Sequence, residues 1–304
     1  MAGRFAPSPA SVLHVGNLRT ALVAWLMARS SGRDFLIRIE DLDVTRVAAA
    51  PAVAQGQLDD LAAIGLTADG EVVRQSDRLP RYAAALSALE TYECYCTRRE
   101  IAEAASAPHD DGYRPYPGTC RDLSDAERAA RRAGRPPALR VRSPGETVTV
   151  DDVWHGRVSG VVDDFVVRRN DGAYAYNLAV VVDDIAQGVD QVVRGDDLLS
   201  SAPRQAWLTQ KLGGAVPLYG HVPLVVGADG RRLAKRDGAI TLGDLAGLGW
   251  TPAQALTLLG ASLGLVTEAE ASEEALVSPE TLLKRFDPGT LPRTPWVLPV
   301  LSSR

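Results

Sequence analysis

Compact apolar segments alternate with segments of helical periodicity along the first ninety residues of the chain. Residues 18–29, 48–64 and 79–90 carry apolar side chains at helical spacing, whereas residues 34–41 form a compact apolar strand that ends in acids. Residues 72–78 predict a further strand and turn. Strands separated by helices are typical of parallel sheets with crossover connections. We therefore predict an α/β fold built on a Rossmann-type, doubly wound parallel sheet.

The alternation breaks near residue 92 and returns at residue 174. Residues 139–169 contain short β-like runs, and Asn170-Asp171-Gly172 is a strong signal for a hairpin turn. We interpret the intervening chain as an inserted α+β subdomain with its own antiparallel strands. The second half of the sheet domain and a short helical C-terminal region follow it. The predicted divisions are 1–92, 93–185, 186–240 and 241–304.

The composition of the 304 residues limits where the protein acts and what it binds. The most continuous apolar runs, residues 21–28 and 178–182, have the lengths of a short helix and a strand, too short to span a bilayer. No basic region followed by an apolar segment marks a secretory signal. A net charge of −5 argues against bulk binding of nucleic acid but leaves a local basic face possible. We expect a cytoplasmic monomer that does not bind membranes.

Residues 4–17, RFAPSPASVLHVGN, predict a strand, a loop of restricted backbone and the start of a helix. A helix N-terminus presents backbone N–H groups and a positive dipole end to an anion. His14 and Asn17 add side-chain donors at this point, and Gly16 allows a ligand to approach the backbone closely. We expect a nucleotide phosphate to bind here. The alternative is an ordinary strand–turn–helix junction in which Asn17 or Ser11 caps the helix.

A second feature, Arg232-Leu233-Ala234-Lys235-Arg236, is a cationic loop that follows a predicted strand. Such a loop is usually only a solvated turn. If it meets the N-terminal loop across the sheet, Lys235 can neutralise a polyphosphate bound at His14. Phosphoryl and nucleotidyl transfer need that neutralisation where charge builds up.

Together the two loops resemble the signature sequences of class I aminoacyl-tRNA synthetases, written HIGH and KMSKS. FAPSP before the first loop, IRIEDLD after it, and YNLAVVVDD with VVRGDDLL later look like the glutamyl branch. The resemblance covers residues 3–240. Only residues 237–304 follow the second motif, too little chain for the anticodon-reading domains of a full glutamyl-tRNA synthetase. The chain therefore resembles the truncated paralogous family, the glutamyl-Q tRNA(Asp) synthetases.

The resemblance implies a two-step activity. ATP, escorted by Mg²⁺, would activate L-glutamate as glutamyl-adenylate without needing tRNA. The glutamate would then pass to the queuosine base at the wobble position of tRNA(Asp). The alternatives are a minimal enzyme that charges a tRNA 3′ end, a non-catalytic tRNA-binding protein, and a small-molecule adenylyltransferase.

Glutamate recognition needs a cation for the side-chain carboxylate, and the fork of an arginine suits a carboxylate best. Arg4 and Arg194 are the candidates, and both match positions that the resembled family uses for its amino acid. Glu40, at a strand end, suits the α-ammonium group. Tyr176 can donate its hydroxyl to the substrate, and Ser8 lies in the loop that holds it. The predicted ATP-binding residues are His14, Gly16, Asn17 and Lys235, of which His14, Asn17 and Lys235 are the predicted catalytic residues.

Cys94-x-Cys96 and Tyr116-Pro-Gly-Thr-Cys120 form a second cluster. Three cysteines are an odd number, which disfavours a disulfide framework and indicates a reducing compartment. Zinc prefers four tetrahedral ligands, mainly thiolate or imidazole, so the cysteines leave one position to fill. His109 is the usual chemical choice, whereas the resemblance favours Tyr116. We follow the resemblance and predict one structural Zn²⁺ that orders the insertion, with three reduced thiols as the alternative.

Two further features are expected to matter less. Arginines recur between residues 128 and 142, where a solvated helix face is the default and contacts to tRNA phosphates are the alternative. Ser11 stands where the resembled family usually has glycine, and Arg232 and Ala234 replace a lysine and a serine of the second signature. These departures bear on the ATP site and on closure of the second loop.

Overall fold

The computed structural model describes residues 1–43, 50–97, 99–101, 115–230, 240–272 and 276–301. Twelve strands lie within these residues and form sheets of seven, three and two strands. In chain order the strands are β1 (Ala2–Phe5), β2 (Asp34–Ile39), β3 (Val73–Arg74), β4 (Thr91–Cys94), β5 (Ala138–Val141), β6 (Thr147–Asp152), β7 (Gly156–Val161), β8 (Val166–Arg168), β9 (Val189–Gly195), β10 (Leu218–Val222), β11 (Val225–Val226) and β12 (Trp296–Val297).

The seven-stranded sheet has the order β3-β2-β1-β9-β10-β6-β7. Neighbouring strands from β3 to β6 are parallel, and the β6–β7 hairpin at one edge is antiparallel. The strand order reverses between β1 and β9, so crossover connections lead away from this point in both directions. The predicted α/β fold with a mostly parallel sheet is confirmed.

The helices cover the sheet and complete its core. Helix α1 is apolar almost all round and lies between the sheet and the C-terminal helices, in the largest buried cluster. Within the described parts of the chain, no helix combines the length and the apolar character needed to cross a membrane. The described α-helices are α1 (Val15–Ser30), α2 (Ala50–Ala63), α3 (Leu79–Ser87), α4 (Asp125–Gly134), α5 (Tyr176–Ala186), α6 (Ala202–Lys211), α7 (Leu242–Gly247), α8 (Pro252–Ser262), α9 (Glu268–Ser272) and α10 (Pro279–Arg285).

The apolar run at residues 178–182 is helical, and the strand that its length suggested is wrong. The run lies inside α5 and every residue in it is buried. A short run that is apolar on all sides has neither the alternation of a half-buried strand nor the stripe of an amphipathic helix. When a short run is buried on all sides, its sequence pattern therefore does not distinguish a strand from a helix.

The strands of the predicted insertion divide between two sheets. β4, β5 and β8 form a separate antiparallel sheet, as expected of an insertion with its own strands. The hairpin turn at Asn170-Asp171-Gly172 is also confirmed, because Gly172 has a positive φ and Arg168 bridges Tyr174 across it. The β6–β7 hairpin instead extends the main sheet beside β10, through a pair between Tyr219 and Asp152. Expecting all these strands to stay within the insertion is therefore wrong.

Candidate active site

A cleft of about 450 Å³ lies at the carboxyl ends of β1, β2 and β9, where the strand order reverses. Open parallel sheets bind their ligands at this edge. The start of α1 and the start of α5 contribute its sides. The predicted glutamate and ATP residues in the described part of the chain all line it: Arg4, Ser8, His14, Gly16, Asn17, Glu40, Tyr176 and Arg194.

The second signature loop falls within residues 231–239, outside the described residues. The role predicted for Lys235 and the departures at Arg232 and Ala234 therefore stay predictions. Leu224 and Val225 line the cleft shortly before this loop, so the chain enters the loop from the border of the cleft.

His14 caps the first turn of α1 with its own ring. Its Nδ1 accepts hydrogen bonds from the backbone N–H groups of Gly16 (3.1 Å) and Asn17 (3.3 Å), and the Asn17 side-chain oxygen accepts from the His14 N–H (3.1 Å). The Val15 N–H donates to the Ile240 carbonyl at 2.8 Å. The expectation that this helix start offers its N–H groups to an anion is therefore wrong. A phosphate bound here would instead be stabilised by side-chain donors and by the helix dipole.

The cap decides how the His14 ring and Gly16 act. Because Nδ1 accepts, a neutral ring carries its proton on Nε2, which makes that nitrogen a donor. A Cβ on Gly16 would lie 2.9 Å from the Cε1 and 3.0 Å from the Nδ1 of His14. Glycine at this position therefore makes room for the imidazole, in addition to lining the cleft.

Asp184 holds two arginines beside the cleft. Its carboxylate accepts from the Arg4 Nε (3.2 Å) and Nη2 (3.4 Å) and from the Arg38 Nη1 (2.7 Å). All three side chains are buried, and Arg38 has no exposed surface. Although burial opposes it, the two guanidinium groups hold the pKa of Asp184 below its usual range. Asp184 thereby fixes where Arg4 lies.

Glu40 is a partly buried carboxylate whose charge is only partly compensated. It accepts a hydrogen bond from the Arg38 Nη2 at 3.2 Å. Burial raises the pKa of Glu40, and the charges of Arg38 and Arg4 offset this only in part. A desolvated carboxylate that lines a cleft is well suited to an ammonium group.

Asp183, next to Asp184 in α5, fixes the segment after β3. It is fully buried and accepts hydrogen bonds from Gln75 (3.0 Å), Tyr82 (2.7 Å) and Arg78. Neither Asp183 nor Asp184 was predicted from the sequence. Two adjacent acids at the end of an apolar run could have indicated them. Carboxylates are rarely buried without partners, so acids in such a run predict buried cationic or hydrogen-bonding partners.

Arg194 enters the cleft with its guanidinium already bound by protein groups. Its Nε donates to the His221 Nε2 at 3.0 Å, and its Nη1 donates to the hydroxyl of Tyr176 (3.2 Å) and the side-chain oxygen of Gln205 (2.6 Å). The Tyr176 oxygen accepts, which leaves its O–H able to donate, and the predicted donation to a substrate stays a prediction. The His221 Nδ1 lies 2.6 Å from an oxygen of Asp152. His221, Gln205 and Asp152 were not predicted from the sequence.

The stability of the protein should fall as the pH drops from about 6.5 to about 4. Burial lowers the pKa of His221 to about 4, although its hydrogen bond to Asp152 opposes the shift. The unfolded chain therefore binds the extra proton first, which destabilises the fold by up to roughly 3 kcal/mol over this interval. Urea unfolding at several pH values should show a weaker dependence for His221→Gln. An identical pH dependence in both proteins would contradict the assignment.

Gln57 holds the loop that carries Ser8. Its Nε2 donates to the Ser8 carbonyl at 3.0 Å and to the Ser11 carbonyl at 2.6 Å. Gln57 lies on α2 and is almost fully buried. Ser11 itself is not among the residues that line the cleft. Gln57 therefore fixes the position of the Ser8–Ser11 loop through backbone carbonyls. Such a side-chain-to-backbone contact leaves no pattern in the sequence.

Three cysteines and Tyr116 come together below the three-stranded sheet as a group that could hold a metal. The sulfurs of Cys94, Cys96 and Cys120 all lie within 4.8 Å of one another, and those of Cys96 and Cys120 are 3.5 Å apart. The Tyr116 hydroxyl lies 3.4 Å from the Cys94 sulfur and 3.7 Å from the Cys96 sulfur. Tetrahedral zinc sets S···S separations of about 3.8 Å and S···O separations of about 3.5 Å. The Cys96–Cys120, Cys94–Tyr116 and Cys96–Tyr116 separations are close to these values, so the four side chains could hold a metal, while His109 lies outside the described residues.

The arginines between residues 128 and 142 mostly contact the protein itself. Arg132 pairs with Glu93 at 2.7 Å, and Arg128 pairs with the exposed Asp125 at 2.6 Å. Arg140 is buried with its guanidinium carbon 3.7 Å from the centre of the Tyr116 ring. Arg128 and Arg132 on α4 agree with the expected solvated helix face, whereas Arg140 lies buried in β5 and does not. Contacts to tRNA stay a prediction.

The fold and the cleft together define a class I tRNA synthetase. The family model described as "tRNA synthetases class I (E and Q), catalytic domain" matches residues 1–298. The structure resembles that of a glutamate tRNA ligase from Elizabethkingia meningosepticum, solved in complex with its amino acid, with a TM-score of 0.75 and 26% sequence identity. The likeness covers 97% of this chain and 66% of that one, so the chain spans about two thirds of the solved structure.

Curated relatives identify the family within this class. A glutamyl-Q tRNA(Asp) synthetase from Nocardia farcinica is 60% identical over 98% of this chain and 93% of the relative. Another from Cutibacterium acnes is 54% identical over 95% of this chain and 85% of the relative. The chain belongs to the glutamyl-Q tRNA(Asp) synthetase family, and it is accordingly a ligase-type enzyme.

Proposed function

We propose that the cleft activates L-glutamate with ATP and forms glutamyl-adenylate without tRNA. The observation that carries this proposal is the convergence of Arg4, Arg194 and Glu40 beside His14 and Asn17 in one cleft. The guanidinium groups of Arg4 and Arg194 suit the side-chain carboxylate of glutamate, and the desolvated carboxylate of Glu40 suits its α-ammonium group. The side-chain donors of His14 and Asn17, together with the dipole of α1, suit the phosphates of a nucleotide.

In the first step, an oxygen of the glutamate α-carboxylate attacks the α-phosphorus of ATP in line. The bond from that phosphorus to the bridging oxygen breaks, and pyrophosphate leaves with the electron pair. The His14 Nε2, the Asn17 amide nitrogen and Lys235 stabilise the charge that develops on the phosphates. Mg²⁺, when bound to ATP, supplies further neutralisation of these phosphates. No side chain has to act as a covalent nucleophile.

In the second step, we propose transfer to tRNA(Asp) that carries queuosine. A hydroxyl of the cyclopentene ring attacks the activated carbonyl, an ester bond forms, and AMP leaves. The names of relatives at 54% and 60% identity support this acceptor.

Two assays test the two steps separately. Glutamate-dependent exchange of pyrophosphate into ATP in the absence of tRNA should proceed, and its absence would sink the activation step. Transfer of labelled glutamate should occur on tRNA(Asp) with queuosine and not on the same tRNA with guanine at the wobble position.

A third tRNA separates this proposal from charging of a 3′ end. Queuosine-containing tRNA(Asp) that lacks its terminal adenosine should accept glutamate as well as the intact tRNA does. Loss of labelling on this tRNA would favour a minimal glutamyl-tRNA synthetase.

We also propose that one structural Zn²⁺ binds Cys94, Cys96, Tyr116 and Cys120. Three thiolates and a phenolate around Zn²⁺ carry a net charge of −2, and two arginines lie close enough to offset it. The Arg131 Nη1 is 3.8 Å from the Cys120 sulfur, and Arg140 stacks on Tyr116. The metal would tie β4 to the segment before α4, within a proposed inserted subdomain at 93–185 that separates 1–92 from 186–240, with 241–304 as the C-terminal region.

Zinc analysis of the purified protein should find one equivalent per chain, and Cys120→Ser should lower this to well below half. The serine hydroxyl is a poor replacement because zinc binds thiolate far better than an alcohol. Tyr116→Phe tests the phenolate and should weaken zinc retention against a chelator by about 10-fold or more. Full retention in Tyr116→Phe would instead point to another fourth ligand.

A further inference from the structure

Three neighbouring strands place Asp152, His221 and Arg194 in a row that leads to the cleft. His221 on β10 is the register partner of Arg194 on β9, and β6 ends beside β10 at Asp152. Asp152 and His221 have no exposed side-chain surface. Neither residue lines the cleft, and the reaction proposed above uses neither.

The contacts of Asp152 determine the orientation and the tautomer of the His221 ring. One oxygen of Asp152 accepts from the backbone N–H groups of Trp154 and His155, both at 3.0 Å. The other oxygen accepts from the His221 backbone at 3.1 Å and lies 2.6 Å from the His221 Nδ1. A carboxylate only accepts, so Nδ1 carries the proton and Nε2 presents a lone pair. That lone pair receives the Arg194 Nε–H.

The lone pair of His221 constrains the guanidinium plane of Arg194. The Nε–H is bound on one side by His221, the Nη1 is bound on the other by Gln205 and Tyr176, and the Nη2 donates to the Leu198 carbonyl at 3.3 Å. A guanidinium N–H that is left for a ligand donates well to a carboxylate only when the guanidinium plane is aligned with that carboxylate. A ring that offered an N–H in place of the lone pair would repel Arg194 and turn this plane.

We propose that His221, oriented by Asp152, is a positioning residue that aims Arg194 at the side-chain carboxylate of glutamate. This inference rests on the proposed function for the identity of the substrate. The selectivity of the site for a carboxylate would then depend partly on Asp152 and His221, a buried pair that does not touch the substrate.

Two amide variants of His221 separate its two hydrogen bonds. Asparagine at this position can still donate to Asp152 but offers no acceptor at the place of Nε2. Glutamine offers its oxygen near that place and can still accept from Arg194. In the exchange assay, His221→Asn should raise the KM for glutamate about 10- to 100-fold, with the KM for ATP unchanged within about twofold. His221→Gln should recover most of that loss.

A variant of Asp152 tests the same hydrogen bond between Arg194 and His221 by changing the partner that orients the ring. Asp152→Asn should raise the KM for glutamate in the same way, because its amide can donate to Nδ1 and move the ring proton to Nε2. Combined with His221→Asn, it should add little further, since both changes act through one hydrogen bond to Arg194. Additive effects, or equal effects of His221→Asn and His221→Gln, would overturn the positioning role.

A spectroscopic measurement without substrate covers the case in which a variant folds poorly or the substrate is another one. Nitrogen NMR of the wild-type ring should show the proton on Nδ1, and the Arg194 Nε–H should exchange slowly with solvent. A ring protonated on Nε2 would overturn the inference whatever the substrate. If wild-type protein shows the expected ring and no glutamate-dependent exchange, the proposed function fails and the orientation of Arg194 stands.

Discussion

Asp184→Ala is expected to destabilise the protein and to remove most of its glutamate activation. The carboxylate binds Arg4 and Arg38 together in a buried site, so its removal leaves two guanidinium groups without their shared partner. Removing one partner of a buried ion pair costs about 3–5 kcal/mol. A displaced Arg4 should lower kcat/KM for glutamate by about 100-fold or more. Urea unfolding and pyrophosphate exchange measure the two effects.

A milder variant and a surface control make this result specific. Asp184→Asn keeps the shape of the side chain and should fold, while it still lowers kcat/KM because the charge between the arginines is gone. Asp190→Asn removes an acid that pairs with Arg33 at 2.9 Å in a partly exposed site. Its cost should stay below about 1 kcal/mol, with normal activity. Wild-type activity in Asp184→Asn would show that Arg4 needs no counter-ion.

The parts of the fold that follow from local patterns could be predicted from the sequence. Alternating strands and helices predicted the parallel sheet, and the carboxyl-end rule then indicated the acid at Glu40. Ser8 and Arg194 were predicted from the chemistry of glutamate recognition and from the family resemblance. The structure places all of these in the same cleft. The three cysteines indicated a possible metal site, and the family resemblance, not the spacing, added Tyr116; the fold brings these four side chains together.

The rest depends on contacts between distant residues, which leave little trace in local pattern. Asp184 meets Arg4 across 180 positions, and Asp152 meets His221 across 69. The β6–β7 hairpin looks the same in sequence whether it joins the small sheet or the large one. Its place is set where Asp152 accepts the His221 backbone N–H. The roles of these buried polar groups become visible only once their partners are located.

At the start of α1, residues that do line the cleft make different contacts from the ones predicted for them. His14, Gly16 and Asn17 were predicted because helix N-terminal N–H groups bind phosphates. In the structure His14 takes up the N–H groups of the other two, and Gly16 makes room for its ring. The site therefore offers side-chain donors whose directions are set by a capping box. Binding of ATP here should depend on the ring of His14 more than on the helix backbone.

His14→Ala is accordingly expected to lower kcat for pyrophosphate exchange by about 100- to 1000-fold. The change removes the donor that is proposed to meet the phosphates, and loss of one such donor costs about that factor. It also removes the cap of α1, which should cost about 1 kcal/mol of stability. The KM for glutamate should change little, because Arg4, Glu40 and Arg194 are untouched.

His14→Asn separates the cap from the chemistry. An asparagine side-chain oxygen can accept from the N–H groups of the first turn, so this variant should regain most of the stability lost in His14→Ala. It cannot place a donor where the Nε2 of the imidazole lies, so kcat should remain low.

Gly16→Ala gives the converse case, since the ring is kept but its Cε1 would lie 2.9 Å from the new methyl group and has to move. We expect a loss of kcat there as well. Wild-type rates in His14→Asn would mean that His14 only caps the helix.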